Sequence, residues 1–140
     1  MAYFYLQGLG STRKTFLYKT IYYYYQGLGK TVLYVASTRL VALLLPNGCT
    51  TYSLFKILVE NLNEDSHCTI CKNLEIGDLL KNVDLIILDK VSTQYKHTFE
   101  CIYYLFIDLC NTNDDMLFGG MPIILSGDFA QTLPIVLRGL

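Results

Sequence analysis

A chain of 140 residues leaves room for one domain, and a hydrophobic fraction of 52% is enough for a sizeable core. A formal net charge of −1 gives no global pull toward nucleic acid, so any such groove has to be local. No apolar run approaches the roughly 18 residues of a membrane span, the N-terminus lacks the n- and h-regions of a signal peptide, and five cysteines, an odd number, point to reduced thiols in a cytosolic or nuclear setting.

Ala2 to Leu6 is apolar and aromatic and predicts a short buried strand. Gly8-Leu9-Gly10-Ser11-Thr12-Arg13-Lys14-Thr15 comes next. It matches the phosphate-loop template G-x-x-x-x-G-K-[ST] except that Arg13 stands at the second glycine. In such a loop the backbone N–H groups of Gly8, Gly10, Ser11, Thr12 and Arg13 face an anion, and the following helix adds its positive N-terminal end. Lys14 reaches the β- and γ-phosphates, and the Thr15 hydroxyl takes a place on Mg²⁺. The missing glycine calls for a conformation or a close approach that a Cβ disfavours. The Arg13 guanidinium can pair with phosphate or fill the site. The plain alternative is a chance Gly/Lys/Thr turn before a helix.

The helix predicted near 15–26 carries Tyr22-Tyr23-Tyr24-Tyr25, better explained by core and rim packing than by a stacking platform for bases. Gln26-Gly27-Leu28-Gly29-Lys30-Thr31 contains an intact Gly-Lys-Thr, but Tyr25 falls where the template needs its first glycine, and a β-branched run follows. It reads as the helix end and a turn into a strand near 31–36. Beyond lie a helix near 38–45, a polar loop through 61–70, a helix near 74–81, a strand at 83–88, a helix at 97–110, a polar loop from Asn111 to Gly120 and a strand at 122–126. The alternation predicts an α/β fold, a parallel sheet with helices on both faces. His67-Cys68 and Cys71 lack a second ligand pair for zinc and read as incidental thiols in a loop. Asn113-Asp114-Asp115 reads as a solvated loop and His97 as a surface residue.

Val83-Asp84-Leu85-Ile86-Ile87-Leu88-Asp89 is an apolar run ending in a carboxylate, the pattern of a buried parallel strand whose carboxyl end faces a ligand. In a phosphate-loop enzyme an Asp there supports Mg²⁺. The next residue is ordinarily a Glu that acts on the attacking water; here it is Lys90, whose ammonium cannot take up a proton. An acidic cap on the turn after a strand is the alternative for Asp89. Finally, Pro122 to Pro134 reads as a strand, a small-residue turn and a Gln, Gln131, able to reach a γ-phosphate or its water.

The order of these motifs resembles the first motor domain of Pif-type DNA helicases, including those of Helitron transposons. The resembling stretches are Gly8–Leu17, Val35-Ala36-Ser37 with Ala42-Leu43-Leu44-Leu45-Pro46, Phe55-Lys56-Ile57, Asn61–Ser66, Asp84–Asp89, and Phe118-Gly119-Gly120 through Gly127–Pro134. The resemblance implies a RecA-like fold and an ATP-dependent 5′-to-3′ DNA helicase of repair, recombination and telomere maintenance, nuclear, or else cytoplasmic or mitochondrial. It implies Mg²⁺ with ATP, held by Lys14, Thr15 and Asp89, with Gln131 sensing the γ-phosphate. It also implies single-stranded DNA on Ser37, Thr38, Thr50, Tyr52 and Ser53, and no membrane partner. Beyond Arg13 and Lys90, Arg39 stands where the family usually has Gly and Ala130 where it usually has Arg. A truncated motor with impaired turnover is the expectation, the second motor domain being absent or a separate partner. The alternatives are a non-hydrolysing nucleotide- or DNA-binding remnant and a decayed transposon-derived fragment.

Overall fold

The computed structural model describes residues 3–9, 13–55, 75–94, 96–111 and 116–131. Strand β1 (Tyr3–Gln7) leads through the loop into helix α1 (Lys14–Gly27). Strand β2 (Val32–Ala36), helix α2 (Arg39–Ala42), the two-residue strand β3 (Cys49–Thr50) and helix α3 (Thr51–Phe55) follow. Helix α4 (Glu75–Lys81), strand β4 (Leu85–Asp89), helix α5 (Lys96–Cys110) and strand β5 (Ile123–Gly127) complete the order. Short 3-10 turns lie at Val91–Thr93, Leu117–Gly120 and Phe129–Gln131.

The strands form one parallel sheet in the order β1-β5-β4-β2-β3. Period-2 alternation splits the central strands between two cores. Val35, Ile86, Leu88 and Ile123 face α3, α4 and α5 through Phe55, Leu80, Ile102 and Phe106. Tyr34, Ala36, Leu85 and Ile87 face α1 and α2 through Tyr18, Tyr22 and Ala42. Helices therefore cover both faces, as the alternation of elements predicts. Gly119, in the turn before β5, has φ +62, and a Cβ there would stand 2.5 Å from the Phe106 carbonyl oxygen, so this turn can lie against α5 only as glycine.

Three local expectations are corrected. The first strand is not buried: it is an edge strand that pairs with β5 alone, and Tyr3 and Phe4 are 52% and 63% exposed. The helix expected near 38–45 is a single turn, because Pro46 disfavours helical backbone at Leu45 and the chain reverses through Asn47 at φ 57. Strand β3 and helix α3 were not among the expected elements. The end of α1 is as expected: Leu28 caps it, Gly29 turns left-handed, and the Gly29 and Lys30 N–H groups donate to the Gln26 and Tyr25 carbonyls, both at 3.0 Å. Tyr22 is buried, while Tyr23 and Tyr24 are exposed. The loop through 61–70 with His67, Cys68 and Cys71, the segment Asn113–Asp115, and Thr132–Pro134 lie outside the described residues.

Candidate functional site

Parallel pairing brings every strand's carboxyl end to one edge of the sheet. Gln7 is in register with Gly127, and Ala36 with both Asp89 and Thr50. The phosphate-loop sequence, Asp89, the Ser126–Asp128 turn, Ser37 and Thr50 thus share the edge where open parallel sheets bind ligands.

Leu9 ends the first described part of the loop, and Gly10, Ser11 and Thr12 lie outside the described residues. Arg13 has φ 59 and ψ 33. The place reserved for glycine is therefore left-handed, and an arginine holds it at a cost of about 1–2 kcal/mol. Lys14 and Thr15 open α1, and the Lys14 ammonium donates to the carbonyls of Gly8 at 2.5 Å and Leu9 at 2.9 Å. It bridges the loop where a phosphate oxygen would otherwise receive it.

Asp89 is 3% exposed. Its Oδ2 accepts the Tyr34 hydroxyl at 2.7 Å, and its Oδ1 accepts the Lys90 backbone N–H at 2.8 Å and the Tyr18 hydroxyl at 3.3 Å. The Tyr18 hydroxyl is in turn in short contact with Ser126 Oγ. All these side chains lie on the α1 side of the sheet, where Tyr18 and Tyr34 are fully buried with ring centroids 5.8 Å apart. Burial, and then the neighbouring Asp89, push both phenols far above the ordinary tyrosine range. They stay protonated and act as donors.

Lys90 follows at φ 59, the N-cap of the Val91–Thr93 turn. That turn is tied to its neighbours by Thr93 Oγ1 to Ser37 Oγ (3.1 Å) and by the Asp128 N–H to Ser92 Oγ (3.3 Å). Gln131 ends the Phe129–Gln131 turn.

The residues expected at nucleic acid gather on the β2–β3 side. Ser37 follows β2, and the Thr38 hydroxyl caps α2 by accepting the Val41 N–H at 3.4 Å. Thr50 and Ser53 bond to each other, hydroxyl to hydroxyl, at 2.9 Å. With Arg39, Gly48 and Cys49 they line a cleft of about 260 Å³. Tyr52 is half-buried and packs against the core rather than standing out as a platform.

The structure departs from the sequence reading at the metal. A carboxylate has about four lone-pair sites, and Asp89 already gives three to protein donors in a position closed to solvent. As it stands, Asp89 offers a metal-bound water at most one acceptor site, on Oδ2, and that site is closed to solvent. Among the described residues no group of three or more His, Cys, Asp or Glu side chains could hold a metal ion. None of their helices is long and apolar enough to cross a membrane. Tyr18, Tyr34 and Ser126 are the site residues that sequence reading missed.

A parallel sheet in this strand order, with a Gly/Lys/Thr loop between β1 and α1 and a carboxylate at the end of β4, defines an α/β domain of RecA type. The PIF1-like helicase family model matches residues 1–140, and the chain belongs to that family. Among solved structures it is similar to Bacteroides Pif1 bound to single-stranded DNA (TM-score 0.77, 22% identity, 96% of this chain and 30% of that one). It is also similar to Bacteroides Pif1 in complex with ADP-AlF₃ and single-stranded DNA (TM-score 0.73, 25% identity, 97% and 30%) and to Pif1 from Candida albicans (TM-score 0.74, 26% identity, 96% and 31%). The chain thus spans about three tenths of the length of these helicases. No match was found among curated proteins. The family is one of ATP-dependent helicases, which implies a divalent ion, as a rule Mg²⁺.

Proposed function

We propose that this chain is the first motor domain of a Pif1-type DNA helicase, and that it binds a nucleoside triphosphate between its loop and Asp89 and single-stranded DNA across the carboxyl ends of β2 and β3. The observation that carries this reading is the placement of Lys14 and Thr15 at the N-terminus of α1, on the same sheet edge as Asp89. The loop amides and Lys14 neutralise phosphate charge, Asp89 and Gln131 flank the γ-phosphate, and Thr15 faces the phosphates. Ser37, Thr38, Thr50 and Ser53 offer hydroxyls to a DNA backbone, with Arg39 as the adjoining charge. The family's nuclear setting and its roles in repair, recombination and telomere maintenance belong to this proposal on the family's account alone.

A second reading, nucleotide binding with little or no turnover, is favoured by Lys90 and by the engaged Asp89 carboxylate. Calorimetric titration of the chain with a non-hydrolysable ATP analogue, with Lys14→Ala as control, tests the binding step. Saturable binding lost in the control supports the proposal; absence of binding by a folded chain refutes it. A hydrolysis assay then separates the two readings.

A further inference from the structure

We propose that Tyr18 and Tyr34 occupy the Asp89 carboxylate in place of a metal ion's water shell, so that this chain binds a triphosphate with little dependence on a divalent ion. The inference rests on the nucleotide-binding reading above and concerns what the site demands of its ligand.

The donors reach Asp89 from separate elements. Tyr34 comes from β2, two residues before Ala36, the register partner of Asp89. Tyr18 comes from α1, one turn past Lys14 and Thr15. Lys90 N–H comes from the residue next in chain. Ser126, at the end of β5, completes a chain of hydroxyls: Ser126 Oγ meets Tyr18 Oη, and Tyr18 Oη donates to Asp89 Oδ1. A buried carboxylate is costly unless its acceptors are filled, and here protein donors fill them. With three of about four acceptor sites filled and the carboxylate 3% exposed, Asp89 opens its remaining site on Oδ2 to a metal-bound water only if a tyrosine hydroxyl moves aside. Both rings are held among Val32, Leu45, Leu85 and Ile87, so neither hydroxyl can withdraw without disturbing that core. Phosphate charge then falls to Lys14, which exchanges the Gly8 and Leu9 carbonyls for a phosphate oxygen, and to the end of α1, neither of which needs an ion as intermediary.

The test is the affinity of the full chain for a fluorescent non-hydrolysable ATP analogue, in Mg²⁺ and in EDTA, for the natural sequence and for Tyr18→Phe/Tyr34→Phe. The expected result is an affinity that changes by less than about threefold between the two solutions for the natural chain. The double variant, its carboxylate released, gains about tenfold or more on adding Mg²⁺. A natural chain that loses tenfold or more in EDTA overturns the proposal, and so does a double variant that gains nothing from Mg²⁺. If neither protein binds the analogue in either solution, the nucleotide-binding reading fails, and thermal melts of Tyr34→Phe, Asp89→Asn and their combination decide the tyrosine lock itself. Melting shifts that combine to less than their sum support the contact, and additive shifts overturn it.

Discussion

Arg13 and Lys90 adopt nearly the same left-handed backbone conformation, φ 59 with ψ 33 and φ 59 with ψ 36, at the two turns that bracket the candidate nucleotide site. One stands where the phosphate-loop template places glycine, the other where the family's phosphate-loop pattern places glutamate. Each therefore changes the chemistry of the site, and the two do so from the same backbone conformation.

Arg13→Gly is expected to stabilise the chain. Relief of left-handed strain gives about 1–2 kcal/mol, and the extra freedom of glycine in the unfolded state takes back about 0.4–1 kcal/mol, leaving a net gain of about 0–1.6 kcal/mol. Chemical denaturation should show a higher midpoint at unchanged slope. A lower midpoint would mean that the arginine side chain makes contacts worth more than the strain it carries.

The tyrosine pair predicts an alkaline weakness. In the folded chain burial holds the Tyr18 and Tyr34 phenols well above their ordinary value of 10.0, whereas in the unfolded chain they ionise near that value. Above it the unfolded state binds fewer protons than the folded one, so stability falls as pH rises. The stabilisation is fully present below about pH 10, and each phenol adds a slope of about 1.4 kcal/mol per pH unit beyond it. Melting temperatures followed from pH 9 to 11 (about one unit either side of the ordinary phenol value) should fall more steeply for the natural chain than for Tyr18→Phe/Tyr34→Phe. Parallel curves would place both hydroxyls in contact with water.

Gly48→Ala tests the support of the β2–β3 cleft. A Cβ at Gly48 would stand 1.9 Å from the Ala42 carbonyl oxygen, so α2 and the approach to Thr50 have to separate. A loss of about 1–3 kcal/mol is expected, together with weaker binding of single-stranded oligonucleotide. Arg39→Ala, on the exposed rim of the same cleft, should leave stability unchanged and lower the salt slope of DNA binding by about one unit. An unchanged slope would remove Arg39 from the DNA path.

The loop and Asp89 are legible in the sequence because their chemistry depends on spacing along the chain, and spacing is what a sequence records. The alternation of apolar runs likewise gives the parallel sheet with helices on both faces. The state of the carboxylate is not legible. Tyr34 lies 55 residues from Asp89 and Tyr18 lies 71 away. In isolation each is a large residue at a core position, and only the strand register and the placement of α1 bring their hydroxyls together. The exposure of β1 is hidden for a related reason: an apolar, aromatic strand reads the same at the edge of a sheet as at its centre. The helix at Arg39–Ala42 is shorter than its apolar run suggests because Pro46 acts on the residue before it.

Arg13→Gly with Lys90→Glu should restore nucleotide binding more than hydrolysis. The glycine returns the loop to its template, and the glutamate supplies a carboxylate that can orient or deprotonate the attacking water. Asp89, however, keeps its three protein donors in this variant, and phosphoryl transfer depends on charge stabilisation around the γ-phosphate as much as on the base. Binding of a non-hydrolysable analogue should tighten by about tenfold, with steady-state phosphate release rising by a smaller factor. Adding Tyr18→Phe/Tyr34→Phe should then raise turnover further in the presence of Mg²⁺. Turnover that recovers as fully as binding before the tyrosines are changed would show that the engaged carboxylate does not limit the reaction.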